Sequence, residues 1–149
     1  MANFFYPLVE NPYRKKDINK AINVLKSNKI TSGPKVIEFE NFFKRKINSK
    51  NSLMVNSGSS ANLLALQCLI NPYRKKKLKA GDEVIIPSLC WSTSLWPIVQ
   101  SGLKPKFVDI DIKTLNLDLD DLEKKITKKT KAIMVVHVLG NCTNMNKLR

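Results

Sequence analysis

Apolar positions along the chain follow two rhythms. Ile18, Ala21, Ile22 and Leu25 recur three and four residues apart, which predicts a helix over 17–28 with one apolar face. The stretch "ITSGP" breaks it. Pro34 suits the first position of a second helix, which Val36, Ile37, Phe39, Phe43 and Ile47 carry onward. Leu53, Met54 and Val55 read as a short buried strand over 52–56, and Leu63, Leu64, Leu66 and Leu69 return to helical spacing over 60–70. A polar loop, "NPYRKKKLKAGD", leads to the apolar strand "EVIIP" at 83–87. The rest alternates in the same way. A helix in "STSLWPIVQSG" has Pro97 near its first turn, a strand spans 105–110, and "DLDDLEKKI" is a short helix with an acidic start. A strand over 131–138 follows, then the beginning of a helix at "TNMNKLR".

Strands apolar on both faces and joined by helices predict an α/β fold with a mostly parallel sheet. Ligands of such folds gather beyond the carboxyl ends of the strands. Those ends carry Ser57–Ser60, Ser88–Trp91, Asp109–Asp111 and His137–Asn141. Four parallel strands with a bare last edge make an incomplete three-layer sandwich. The expectation is the N-terminal part of a longer protein, with a helix and loop over 1–34 and a partial domain over 35–149.

Composition narrows the class. The chain has 149 residues, 43% of them hydrophobic, enough for one packed domain and unlike a disordered tail. No apolar run reaches the roughly 20 residues that span a bilayer. The start "MANFFYPLVENPYRKK" lacks the basic-then-apolar order of a secretory leader, so a cytoplasmic protein without a membrane partner is expected. The net charge of +14 invites a nucleic-acid reading. Against it, lysines are scattered, arginine occurs only at Arg14, Arg45, Arg74 and Arg149, and no aromatic residues interleave with the basic clusters. No nucleic-acid partner is expected. "NPYRKK" at 11–16 and 71–76 has unmatched flanks and is no repeat. Cys68, Cys90 and Cys142 are far apart and form neither a metal-ligand pattern nor a disulfide framework.

The most informative stretch is "VNSGSSANLLALQCL" at 55–69. It puts Gly58, Ser59 and Ser60 at a helix start, where first-turn N–H groups lack internal partners and the dipole is positive. A glycine admits close approach and serine hydroxyls can donate, which together suit a phosphate. Ordinary capping and turn chemistry explain the same residues. The stretch is neither a P-loop nor a dinucleotide fingerprint.

The ordered set "ITSGPKVIEFENFF", "VNSGSSANLLAL", "GDEVIIPSLCWSTS" and "GLKPKFVDIDIKTLNLDLDDLEKKITKKTKAIMVVHVLGN" resembles the DegT/StrS-type sugar aminotransferases, which use pyridoxal phosphate (PLP). Its details look most like the nucleotide-sugar 3-dehydratase branch. The resemblance implies the N-terminal part of the large domain of a fold-type-I PLP-dependent transferase. It implies PLP or pyridoxamine phosphate (PMP) as cofactor, with its phosphate on Gly58, Ser59 and Ser60 and its ring on Trp91. It further implies a nucleotide-linked 4-keto-6-deoxy sugar as substrate, glutamate as amino donor, a role in surface polysaccharide or deoxysugar biosynthesis, and a homodimer at full length. Ser32 and Gly33 match a loop near the family's active site, although capping the helix at Pro34 explains them equally well.

His137, the one histidine, is either a pocket-rim residue near the sugar or a satisfied strand-end histidine, and the second reading is preferred. Trp96 is expected in the core. Asp109 and Asp111 could act as paired carboxylates, but a loop role is expected. The family's aspartate on the pyridine nitrogen and its cofactor-bonding lysine, or the histidine that replaces it, are expected beyond Arg149. No catalytic residue and no metal ligand is assigned here, and the 149 residues alone are expected to be inactive. A stand-alone module that binds a phosphate or nucleotide without catalysis is the competing reading.

Overall fold

The computed structural model describes residues 9–149; the leader-peptide argument falls largely on residues 1–8, outside them. The chain divides into two compact units at 54/55.

The first unit carries α1 (Lys15–Lys26) and α2 (Pro34–Lys46). Helix α1 starts two residues before Asp17, whose Oδ2 accepts the Arg14 N–H at 3.1 Å and closes the helix start. Helix α2 begins at Pro34 as expected, with Gly33 as its N-cap. Among residues 9–54 none is buried.

The second unit holds α3 (Gly58–Ile70), β1 (Glu83–Pro87), α4 (Ser92–Gln100), β2 (Lys104–Val108), α5 (Leu119–Lys125), β3 (Thr130–Ile133) and a last turn, α6 (Met145–Leu148). The three strands form one parallel sheet in the order β2-β1-β3. Side chains of a strand alternate between faces, and β1 uses both. Val84 and Ile86 pack with Leu66, Ile98 and Leu103 on the side of α3 and α4. Ile85 packs with Val108, Leu117 and Leu122 on the side of α5. Helices on both faces of a parallel sheet are the expected three-layer arrangement. Glu83 ties the amino edge together. Its carboxylate accepts from Lys106 Nζ on β2 at 3.3 Å and from the hydroxyls of Thr127 and Thr130, at 2.8 and 3.3 Å.

Two expected strands are corrected. Residues 52–56 form no strand, so among the described residues the sheet has three strands and not four. No neighbour lies beside this segment in ladder register among the described residues, and the Met54 N–H goes instead to Glu40 Oε1 at 2.8 Å. The last strand ends at Ile133, not at 138. The Met134 N–H still donates to Ile85 O at 2.7 Å. The next bond of a parallel ladder would run from the residue-87 nitrogen to the Met134 carbonyl, and Pro87 has no N–H to give.

Candidate functional site

The placement of α3 follows from its contacts with α4. Asn62 Nδ2 donates to Thr93 O at 3.3 Å, and Gln67 Nε2 to Ser101 Oγ at 3.2 Å. The partners advance in the same direction along both segments, so the two helices are parallel. Helix α4 starts just after the carboxyl end of β1. The N-terminus of α3 therefore lies at the carboxyl edge of the sheet, where α/β folds bind ligands.

In the turn itself, the capping bonds of "SGSS" fall on particular residues. Ser57 is the cap. Its Oγ accepts the Ser60 N–H at 3.2 Å and donates to Ser60 Oγ at 3.2 Å. The Ala61 N–H bonds back to Ser57 O at 3.0 Å. The N–H groups of Gly58 and Ser59 have no acceptor among the described residues. A side chain added at Gly58 would meet nothing within 4 Å. Two free N–H donors at a helix N-terminus, with open space over a glycine and the exposed Ser59 hydroxyl alongside, fit a phosphate. Ser60 N–H is already used by the cap.

Trp91 is the N-cap residue of α4 and is 75% exposed, so it is not a core residue. It shares a cavity of about 410 Å³ with His137 and Cys90, beyond the carboxyl ends of β1 and β3. A second cavity, of about 240 Å³, lies between α3 and α4 and is lined by Ser59, Ser60, Thr93 and Trp96. The expectation that Trp96 is core is corrected: it is 55% exposed and faces this cavity. Small serines opposite it on α3 leave its ring uncovered.

His137 lines the Trp91 cavity and is also hydrogen-bonded within its own loop. Its Nδ1 accepts the Thr143 N–H at 3.2 Å, and Nε2 lies 3.9 Å from Cys142 Sγ. Burial pushes the Cys90 thiol pKa up, away from reactivity. Asp109 and Asp111 serve their own loops, as expected. Asp111 Oδ1 accepts the N–H groups of Lys113 and Thr114 and the Thr114 hydroxyl, and the Thr114 bonds hold its carboxyl below its usual range. Asp109 Oδ1 accepts the neighbouring Ile110 N–H at 2.8 Å. Among the described residues, no group of three His, Cys, Asp or Glu side chains is placed to hold a metal.

Ser32 and Gly33 belong to the first unit. Ser32 has left-handed backbone at φ 45°. Gly33 is required by close approach, because a Cβ there would lie 2.4 Å from Lys29 O. Sequence reasoning missed Asn116, which is 3% exposed and bridges two loops beside the Trp91 cavity. The available signal was a polar residue set between two leucines in "TLNLD".

Known proteins resemble this chain in sequence and fold. The chain is 48% identical to a GDP-4-keto-6-deoxy-D-mannose 3-dehydratase of Yersinia pseudotuberculosis, over 95% of this chain and 35% of that protein. It matches the E. coli GDP-4-keto-6-deoxy-D-mannose-3-dehydratase, solved with bound hydrated PLP. The TM-score is 0.90 and the identity 42%, over 97% of this chain and 37% of that one. A protein of Streptococcus pneumoniae assigned as a sugar aminotransferase, in its PMP form, matches with a TM-score of 0.83 and 30% identity. That match covers 97% of this chain and 35% of the other. The chain thus spans about a third of the length of these relatives. Residues 12–149 match the sequence model of the DegT/DnrJ/EryC1/StrS aminotransferase family, and the chain belongs to that family.

Proposed function

We propose that this chain supplies the phosphate end and one ring face of a PLP or PMP site in an enzyme acting on a nucleotide-linked 4-keto-6-deoxy sugar. The observation that carries the reading is the start of α3. Its two unpaired N–H groups and the open space over Gly58 lie at the sheet's carboxyl edge. The Gly58 and Ser59 N–H groups and the Ser59 hydroxyl hold the phosphate, and the indole of Trp91 takes the flat pyridine ring. When bound, the cofactor supplies an electron sink for bond breaking next to an amino-bearing carbon. This chain's residues bind and orient it and keep water off one face. The groups that move protons lie outside residues 1–149.

Of the two chemistries, 3-dehydration is the first reading, because the 48%-identical relative is a 3-dehydratase. Amino transfer from glutamate is the second. A cytoplasmic homodimer completes the proposal, and the division into 1–34 and a partial large domain over 35–149 is part of it.

The test uses the full-length protein titrated with PLP. Ser59→Ala removes one charge-assisted hydrogen bond, worth roughly 1.5–3 kcal/mol, which is about a ten- to hundredfold loss of affinity. The cofactor's absorbance should stay native, because the phosphate is electronically insulated from the ring. Trp91→Ala should weaken binding and also shift the absorbance. Native affinity and absorbance in both variants would contradict the proposal.

A further inference from the structure

The cavity beside Trp91 has a wall that its own packing does not explain. Leu115 and Leu139 both line it, and both hold left-handed backbone, at φ 59° and 52°. That conformation is an outlier for a bulky side chain. Leu139 is also 94% exposed, so no burial offsets its cost.

One buried side chain holds both leucines in place. Asn116 Oδ1 accepts the Val138 N–H at 3.1 Å, and its Nδ2 donates to Asn141 O at 3.1 Å. Asn141 Nδ2 donates back to Thr114 O, also at 3.1 Å. These bonds bracket Leu139 on one loop and fix the turn that carries Leu115 on the other. The turn is anchored in its own right, since Asp111 accepts three hydrogen bonds from Lys113 and Thr114. A side chain that bridges in this way needs an acceptor and a donor on one short group. Aspartate lacks the donor and leucine lacks both.

We infer that Asn116 is a positioning residue, which sets Leu115 and Leu139 as apolar lips around the cofactor ring on Trp91. The inference rests on the proposal that Trp91 takes that ring. Held in this way, the two leucines exclude water from the ring's edge; released, they would relax to ordinary backbone and leave the ring loosely oriented.

The test uses the full-length protein as wild type, Asn116→Ala, and Leu122→Ala as a destabilised control from the core under α5. Three quantities are read: amide exchange at Val138, the affinity of added PLP, and its visible circular dichroism. Asn116→Ala should speed Val138 exchange at least tenfold, weaken PLP about tenfold and diminish its circular dichroism. Leu122→Ala should lower stability and leave the dichroism native. Should Asn116→Ala not fold, Asn141→Ala removes only the return bond to Thr114, and a partial loss of dichroism is expected. Unchanged Val138 exchange in Asn116→Ala would overturn the inference. So would faster exchange with native affinity and dichroism, or native dichroism in a folded Asn141→Ala used in its place. A wild type that binds no PLP overturns the cofactor proposal as well, whereas failure of the variants alone overturns only the role of Asn116.

Discussion

At the scale of single residues, the chain separates groups that build the turn from groups left open for a ligand. Ser57 spends its hydroxyl on Ser60, while the Gly58 and Ser59 N–H groups have no acceptor among the described residues. This division was half legible in the sequence. A glycine among serines before a leucine-rich run marks a helix start, but it does not say which serine caps. Trp91 could be placed at a loop because it follows Pro87 closely. Trp96 could not, because it faces a cavity that Ser59 and Ser60 of another helix also line, an arrangement made in space and absent from local pattern. Gly33 shows how one atom decides identity. Gly33→Ala would push a Cβ to 2.4 Å from the Lys29 carbonyl oxygen. Such overpacking costs about 1–3 kcal/mol. The variant should speed amide exchange in the first turn of α2 and leave the α3 turn untouched. Native exchange in α2 would show that the backbone there yields freely.

At the scale of elements, hydrophobic spacing located all the longer helices and the central strand. It failed where a partner strand or a missing N–H decides the outcome. Residues 52–56 have strand-like side chains but no ladder among the described residues. Pro87 stops the β1–β3 ladder from the other strand, so nothing within 131–138 could have signalled the early end. Pro97 shows a third case. The expectation placed it near the first turn of its helix, and it stands sixth in α4. A proline there leaves the carbonyl four residues back without its helical donor. That carbonyl belongs to Thr93, and Asn62 Nδ2 of α3 supplies the bond. Asn62→Ala should therefore destabilise by about 1–3 kcal/mol by leaving a part-buried acceptor unpaired. In a Pro97→Ala background the new N–H can serve Thr93, and the cost should shrink by about 0.5–1.5 kcal/mol. A four-protein denaturation cycle measures this, and strict additivity would show that Asn62 does not stand in for the proline.

At the scale of the whole molecule, the second unit is held from β1 outward, and Glu83 links the three strands at the sheet's amino edge. The Thr127 hydroxyl, then Lys106 and the Thr130 hydroxyl, hold Glu83 below the usual glutamate range. A depressed folded pKa gives stability that is full above the unfolded value and is lost as pH falls through the folded one. The wild type should lose more stability than Glu83→Gln on acidification below about pH 4.5. Parallel acid limbs in a melting series would show that the carboxylate is not what locks the three strands. No helix among the described residues is long and apolar enough to cross a membrane. The family was legible from ordered motifs, which recur along most of residues 28–145. The chain spans about a third of the length of these relatives, and the sequence assigns no catalytic residue within it.

If the start of α3 holds the cofactor phosphate, as we propose, amide resonances of the full-length protein titrated with PLP report it. The Gly58 and Ser59 N–H groups gain a dianionic acceptor on binding, so both resonances should move strongly downfield. The Ser60 resonance should move little, because its N–H keeps Ser57 Oγ. Saturable PLP binding with the Gly58 and Ser59 resonances unmoved would place the phosphate elsewhere and contradict the account.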